Sequence, residues 1–176
     1  ARGMLELTAI DVGQGDSLLV AFPGGATMMI DGGGVLQYGA ERRRQPRLDT
    51  GEDVISPYLW SRGIRRLDIV VATHAHEDHT GGLFALLENF RPRELWVGAN
   101  PSAALVAKAV AMKIPVIAPR DTLDYSGARI EVVSPPEDYH AARAGNNDSL
   151  VLRIAYGRHA FLLTGDLESA IERRLL

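Results

Sequence analysis

The sequence predicts a layered α/β domain, and three observations support that fold class. Its 176 residues are 46% hydrophobic, which is enough to fill the core of one sizeable domain. Residues 67–73 are almost continuously apolar, as expected of a strand that is covered on both faces. From there to residue 118, short apolar runs alternate with stretches of helical periodicity, a pattern that favours strands with helices between them.

The first third of the chain predicts a small meander followed by a loop and a helix. Three apolar runs separated by glycine-containing turns are the expected strands: residues 5–9, 17–21 and 26–30. Residues 35–49 are polar and rich in arginine, which indicates a loop. Asp49 or Thr50 is the expected cap of a helix over residues 52–62, and Gly63 is the expected end of that helix.

The remaining two thirds predict further strands and helices in alternation. The expected strands are residues 67–73, 94–97, 116–118, 128–133, 149–155 and 159–163. The expected helices are residues 82–90, residues 101–113 with Asn100 or Ser102 as cap, and a last helix from residue 168 onwards. Gly157 and Arg158 predict a tight hairpin turn between the last two strands, and residues 135–148 predict a loop.

Composition excludes several classes of protein. There is no cysteine, so disulfide frameworks, thiolate zinc sites and cysteine nucleophiles are all excluded. No apolar run approaches the ~20 residues that cross a bilayer, so we expect no membrane insertion by this segment. The net charge of −3 argues against tight, purely electrostatic DNA binding, and contact with a polyanion would be local or assisted by metal.

The strongest chemical signal is the run Thr73-His74-Ala75-His76-Glu77-Asp78-His79, which follows the buried strand and precedes a helix. Side chains at the carboxyl end of a strand are well placed for ligands. His74 and His76 are expected to point the same way and hold one cation, while Asp78 and His79 reach a second position. Imidazole and carboxylate donors suit Zn²⁺, Mn²⁺ or Fe²⁺, and the sequence does not choose among them. A purely structural histidine cluster and metal binding without catalysis are the alternatives.

Other polar residues carry weaker signals. Asp166 ends the last apolar strand beside a glycine, and Asp31 ends an earlier one; each alone is as consistent with a turn or a cap as with a ligand. Asn146 to Ser149 predict a turn, and His140 and His159 are expected in solvent or hairpin positions. Four arginines of the predicted loop are candidate phosphate contacts, with a solvated loop as the alternative: Arg42, Arg43, Arg44 and Arg47.

Taken together, these motifs resemble the metallo-β-lactamase superfamily. In that superfamily an aspartate ends an early strand, a His-x-His-x-Asp-His loop follows, and a later strand ends in a bridging aspartate. Asp31, the loop from His74 to His79, and Asp166 occupy those places in order. Further segments resemble the soluble domain of ComEC-like DNA-internalisation competence proteins across essentially the whole chain: residues 10–17, 29–33, 73–82, 146–152 and 163–166.

The resemblance implies a metallo-β-lactamase αββα sandwich with a site for two divalent metal ions, Zn or Mn. The ligands it implies are His74, His76, Asp78, His79 and Asp166. Asp31 would orient a ligand instead of binding metal. Many members have a histidine where this chain has Asn147 and Asp148, so these two are uncertain metal or substrate contacts.

The resemblance also bears on the extent of the domain. The family has a His-His-Gly element beyond the bridging aspartate, and this sequence ends at Leu176 without one. We therefore expect residues 1–176 to be most of one metallo-β-lactamase-like domain, C-terminally truncated, with its closing elements missing.

The function that the resemblance implies is metal-dependent phosphodiester hydrolysis of DNA, a nuclease activity linked to DNA uptake in competence. Asp78 is the candidate catalytic residue, because it could orient the attacking water. The expected substrate is DNA, single-stranded or duplex. The resemblance further implies that these residues form a soluble, extracytoplasmic domain of a bacterial membrane protein. The second expected partner is a membrane channel domain, to which this soluble domain is fused or bound. One alternative is a metallo-hydrolase of a small ester, thioester or lactam. Another is a DNA-binding or gating module with a degenerate metal site.

Overall fold

The computed structural model describes residues 3–34, 48–140 and 143–173, and its first structural unit is a mixed six-stranded sheet. The strands lie in chain order: β1 (Glu6–Ala9), β2 (Leu18–Ala21), β3 (Thr27–Ile30), β4 (Ile69–Ala72), β5 (Glu94–Val97) and β6 (Val116–Ile117). The first three strands pair antiparallel, which confirms the meander, and β3 to β6 pair parallel. The carboxyl ends of β3 and β4 consequently meet at one edge of the sheet.

The second sheet is antiparallel and has four strands in the order β10-β9-β8-β7. Its strands are β7 (Leu123–Tyr125), β8 (Ala128–Ser134), β9 (Val151–Tyr156) and β10 (His159–Leu163). Tyr156 pairs with His159, so Gly157 and Arg158 form the predicted two-residue hairpin turn. Strand β7 was not predicted, although Ser126 and Gly127, both with positive φ, form a two-residue turn typical of a hairpin.

The first four helices lie between β3 and β6 of the first sheet, and the fifth follows β10 of the second sheet. They are α1 (Ser56–Ser61), α2 (Glu77–Thr80), α3 (Leu83–Phe90), α4 (Ala103–Ala111) and α5 (Ser169–Glu172). The predicted helix over residues 52–62 is a π-helical turn, Thr50–Ile55, that leads directly into α1, and the Asp49 side chain accepts from the Glu52 amide as its cap. Ser102 caps α4, as the sequence predicted. The single turn α2 was expected as part of a loop.

Two hydrophobic cores define the layers. The first core lies between the two sheets. In it, Met28 and Trp96 of the first sheet and Phe22, which directly follows β2, pack with Ile130 and Ile154 of the second sheet. The opposite face of the first sheet packs against the helices, in a core that includes the following buried side chains: Leu19, Met29, Val70, Leu95, Leu59, Leu86, Phe90 and Leu105. The alternation of strand side chains between faces places successive residues of β3 in different cores. The fold is the mixed α/β architecture that the sequence predicted.

Candidate metal centre

The candidate site lies where strands from both sheets end. Asp31 follows β3, Thr73 and His74 follow β4, and Asp166 follows β10. A Cβ atom on Gly165 would lie 3.1 Å from the Thr73 Oγ1 atom, so the end of β10 approaches the end of β4 closely. This approach brings an acidic residue of the second sheet to the histidine loop of the first.

Asp31 is fully buried and organises the site. Its Oδ1 atom accepts a hydrogen bond from the Thr73 amide at 2.9 Å, and its Oδ2 atom lies 2.6 Å from the Thr73 hydroxyl. The same Oδ2 atom lies 2.8 Å from Nδ1 of His79. Both oxygens therefore contact neighbouring groups, and the role of Asp31 in orienting a metal ligand stays a prediction.

The three histidines of the motif lie against one another. The ring centroids of His74 and His79 are 4.3 Å apart, and those of His74 and His76 are 4.6 Å apart. His74 Nδ1 lies 3.1 Å from the Thr73 hydroxyl, and its Nε2 lies 3.1 Å from Nδ1 of His76. His74 and His79 are buried, whereas His76 is exposed.

The electrostatic environment moves the pKa values of the two buried imidazoles in opposite directions. Burial, reinforced by the charges of His79 and His76, lowers the pKa of His74 to about 4. Burial would also lower the pKa of His79, but the hydrogen bond and charge of Asp31, with the charges of Asp166 and Asp78, raise it to about 9. Burial raises the pKa of the Asp31 carboxyl, against the opposing hydrogen bonds from His79 and Thr73.

Asp166 completes a group of three donors. Its Oδ1 atom lies 3.3 Å from Nε2 of His79, and its side chain is 41% exposed. One ligand atom from each of His74, His79 and Asp166 lies within 4.8 Å of the other two. Two imidazoles and a carboxylate at this spacing are a suitable donor set for a divalent transition metal such as Zn²⁺ or Mn²⁺, so the residues present fit a metal ion.

Asp78 and His76 border this three-residue group. Asp78 lies on α2 and is half-buried; its charge adds to the rise in the pKa of His79 and opposes the lowering of the pKa of His74. The backbone of Asp78 is contacted by Gly15, where an added Cβ atom would lie 1.7 Å from the Asp78 carbonyl oxygen. Gly34 approaches the Glu77 carbonyl oxygen in the same way. Two glycine-containing loops therefore hold α2 in place.

Asn147 and Asp148 are held by protein hydrogen bonds. They lie in a single 3₁₀ turn, Asn146–Asp148, as the sequence predicted. The Asp148 carboxylate is buried, accepts from the Asn100 amide at 3.1 Å and accepts from the Gly145 backbone amide at 2.8 Å. The Asn147 side chain is hydrogen-bonded to Glu168. Their roles as metal or substrate contacts stay a prediction, since the structure places neither in the three-donor group.

Other candidate residues fall outside the site or outside the described ranges. Arg42, Arg43, Arg44 and Arg47 lie outside the described residues. His140 and His159 are exposed, as predicted. Sequence reasoning gave no role to Thr73, whose hydroxyl contacts both Asp31 and His74. Its position directly before the first histidine of the motif was the only signal, and that signal does not reveal which side chains it contacts.

Two packed sheets with a cluster of histidine and carboxylate donors at the ends of their strands are the architecture of the α/β metallo-hydrolase class of folds. The profile of the metallo-beta-lactamase superfamily matches residues 10–176. The chain therefore belongs to the metallo-β-lactamase superfamily, as the motifs indicated. Members of this superfamily bind divalent metal ions, typically two.

Within the superfamily, the chain is similar to two curated proteins whose names are consistent with competence. The chain is 34% identical over 181 residues to ComE operon protein 3 of Bacillus subtilis (strain 168), covering 97% of this chain and 23% of the relative. It is 28% identical over 168 residues to Recombination protein 2 of Haemophilus influenzae, covering 96% of this chain and 19% of the relative. The chain thus spans less than a quarter of the length of these relatives. Their names are consistent with ComEC-like competence proteins, as the resemblance predicted.

Solved structures show the same fold at low sequence identity. A metallo-β-lactamase with a HARLDQ motif from Cronobacter sakazakii superposes with a TM-score of 0.58 at 14% identity, covering 90% of this chain and 58% of that one. This likeness supports the fold assignment alone. Among the described residues, none of the helices combines the length and hydrophobicity needed to span a bilayer.

Proposed function

We propose that this chain is a metal-dependent phosphodiester hydrolase that acts on DNA. The observation that supports it most directly is the convergence of His74, His79 and Asp166, whose ligand atoms lie within 4.8 Å of one another. A buried carboxylate behind one imidazole is the arrangement that commonly orients a metal-binding histidine. Asp31 stands in that relation to His79.

Each residue of the site has a distinct part in this proposal. His74, His79 and Asp166 hold a metal ion, and His76 and Asp78 are the proposed additional ligands of a pair. Bound cations of this kind supply an activated water and neutralise the charge of the group that it attacks. Asp78 is the proposed residue that orients the attacking water, because it is a half-buried carboxylate on α2, which begins directly after His76.

DNA is the proposed substrate because of the relatives and not because of the site geometry. The name Recombination protein 2 refers to a process of DNA, and the name ComE operon protein 3 is consistent with competence. The net charge of −3 favours local recognition of the phosphate backbone at the metal centre over binding by a basic face.

We also propose the setting in which this activity operates. The curated relatives are more than four times as long as the matched segment. We infer that the whole protein includes a membrane channel domain. We also infer that the domain formed by residues 1–176 lies outside the cytoplasm, where it degrades one DNA strand during uptake. Binding of DNA by a degenerate site and hydrolysis of a small ester remain outcomes of the test below.

The test is cleavage of linear DNA with Mn²⁺ or Zn²⁺ by the protein and by three variants. His79→Ala and Asp78→Asn are expected to reduce the rate by about two orders of magnitude or more, because each removes a group at the metal centre. His159→Ala is the matched control, since it removes an exposed imidazole at the start of β10 and leaves the cluster intact. Circular dichroism establishes that each variant is folded.

Each outcome bears on one hypothesis. Metal-dependent cleavage that is retained only in the wild type and the His159 variant supports the nuclease. DNA binding without cleavage contradicts it and favours the binding module. Hydrolysis of a chromogenic lactam or thioester in the absence of DNA cleavage contradicts the substrate assignment and favours the small-ester hydrolase.

A further inference from the structure

We propose that Thr73 is a positioning residue that fixes which ring nitrogen of His74 carries the proton. In this arrangement His74 donates from Nδ1 to the Thr73 hydroxyl, which itself donates to Asp31. The Nε2 atom of His74 is thereby left without a proton and available as a metal ligand. The inference deepens the proposed metal site and rests on it for its functional meaning, but the hydrogen-bond chain is a property of the metal-free protein.

The direction of each hydrogen bond between Asp31, Thr73 and His74 follows from the number of hydrogens that these groups carry. Asp31 Oδ1 accepts from the Thr73 amide at 2.9 Å, and Oδ2 lies 2.8 Å from His79 Nδ1. With both oxygens acting as acceptors, the Thr73 hydroxyl at 2.6 Å from Oδ2 is the donor of that contact. A hydroxyl has only one hydrogen, so at its second contact it can only accept.

The second contact of that hydroxyl is His74 Nδ1, at 3.1 Å. Because the hydroxyl accepts there, His74 has its proton on Nδ1. The Nε2 atom of His74 lies 3.1 Å from His76 Nδ1, so in the metal-free protein His76 donates to it. One buried carboxylate thus sets the orientation of two imidazoles, that of His79 directly and that of His74 through Thr73.

The backbone of Thr73 is fixed independently of its hydroxyl. Its amide donates to Asp31, and its carbonyl oxygen accepts from the Leu150 amide at 2.9 Å. The side chain is also close to Gly165, the residue before Asp166. A substitution that keeps the β-branched shape and removes the hydroxyl therefore isolates the effect of this one hydrogen-bonding group.

The test is NMR spectroscopy of the metal-free protein labelled with ¹⁵N-histidine, in which long-range ¹H–¹⁵N correlations report which ring nitrogen is protonated. Wild-type His74 is expected to show a protonated Nδ1 and an unprotonated Nε2. Thr73→Val is expected to give a mixture of the two tautomers, whereas Thr73→Ser is expected to restore the wild-type pattern. Thr50→Val is the matched control, because Thr50 is equally buried but its hydroxyl donates to the Gly32 carbonyl oxygen.

A second measurement is metal affinity, by competition of Zn²⁺ with a chromogenic chelator. Thr73→Val is expected to weaken binding by about 10- to 100-fold, the usual effect of losing a group that orients a ligand, and Thr73→Ser is expected to change it little. If wild-type His74 carries its proton on Nε2, or if Thr73→Val leaves its tautomer unchanged, the proposal is overturned. The wild-type tautomer is measured without any variant, so a misfolded Thr73→Val protein still leaves a decisive result.

The proposed function can fail separately from this inference. A wild-type protein that shows the predicted His74 tautomer but cleaves no DNA contradicts the nuclease alone. Cleavage of DNA by a protein whose His74 has the opposite tautomer contradicts the role of Thr73 alone.

Discussion

The Oδ2 atom of Asp31 lies 2.8 Å from Nδ1 of His79, and both side chains are 1% exposed. The φ angle of Asp31 is +55°, in the left-handed region, so the backbone changes direction as it leaves β3. In this conformation the carboxylate contacts Thr73 and His79. A buried ion pair of this kind is costly to break by removing one partner. The pair therefore links the stability of the fold to the geometry of the proposed metal site.

Asp31→Asn is expected to lower the free energy of unfolding of the metal-free protein by about 3 kcal/mol. The amide has nearly the same shape, and asparagine tolerates positive φ, so the loss reflects the missing charge and acceptor. Urea denaturation measures it. Asp166→Asn is the control, because that carboxylate is 41% exposed and its loss is expected to weaken metal binding with little change in stability. Equal stability of wild type and Asp31→Asn would contradict this interpretation.

Metal binding is expected to release about one proton at pH 7, because the pKa of His79 is raised to about 9 in the metal-free protein. The proton on His79 competes with the metal, so the apparent affinity rises as the pH increases from 7 to 9. Calorimetry in two buffers of different ionisation enthalpy measures the protons released. Asp31→Asn removes the charge that keeps His79 protonated, so less proton release is expected from that variant. An affinity that is constant from pH 7 to 9 would be inconsistent with a protonated His79.

The same raised pKa sets a direction for stability against pH in the metal-free protein. A group whose pKa is higher in the folded state stabilises it below the ordinary pKa of 6.5, and this contribution is lost as the pH rises towards 9. We expect the free energy of unfolding to fall across that window by roughly 2–3 kcal/mol. His79→Gln is expected to abolish most of this fall. A wild-type stability that rises between pH 6.5 and 9 would show that His79 is not held protonated by Asp31.

Gly15→Ala is expected to reduce metal affinity, since its Cβ atom would lie 1.7 Å from the Asp78 carbonyl oxygen and displace α2. Gly13→Ala is the matched control: Gly13 has a φ of +79° and Gly15 a φ of +75°, but nothing lies within 4 Å of a Cβ atom at Gly13. Both substitutions carry a conformational cost of about 1 kcal/mol. The difference between the two variants in metal affinity and in urea denaturation therefore isolates the contact with Asp78. Identical behaviour of the two would rule out a role for that contact.

Asp148→Asn is expected to destabilise the protein by about 1–3 kcal/mol and to leave the metal stoichiometry unchanged. Its carboxylate is buried and joins the Asn100 side chain to the Gly145 amide, and it is not one of the three converging donors. Metal analysis by mass spectrometry, together with thermal unfolding, separates the two effects. Loss of one bound metal in this variant would instead show that Asp148 is a ligand, as the sequence left open.

Much of the fold was predictable because its local patterns are strong. The apolar run at residues 67–73 contains β4, and the predicted strands at 94–97 and 159–163 coincide with β5 and β10. The single turn α2 and the three-residue strand β7 were not predicted. Glu77–Thr80 contains no apolar residue and Leu123–Tyr125 has a charged residue at its centre, so neither segment shows an apolar run like those that predicted β5 and β6.

The sequence by itself determined the histidine motif, the strand ends on which Asp31 and Asp166 lie, and the superfamily to which the chain belongs. Only the tertiary structure decided that Asp166 reaches His79 and that Asp31 and Thr73 contact the two buried imidazoles. It also decided that the side chains of Asn147 and Asp148 bond to other protein groups. The physical reason is that motifs report residue types at short spacing. Hydrogen bonds between residues far apart in the chain depend on the register and packing of the two sheets.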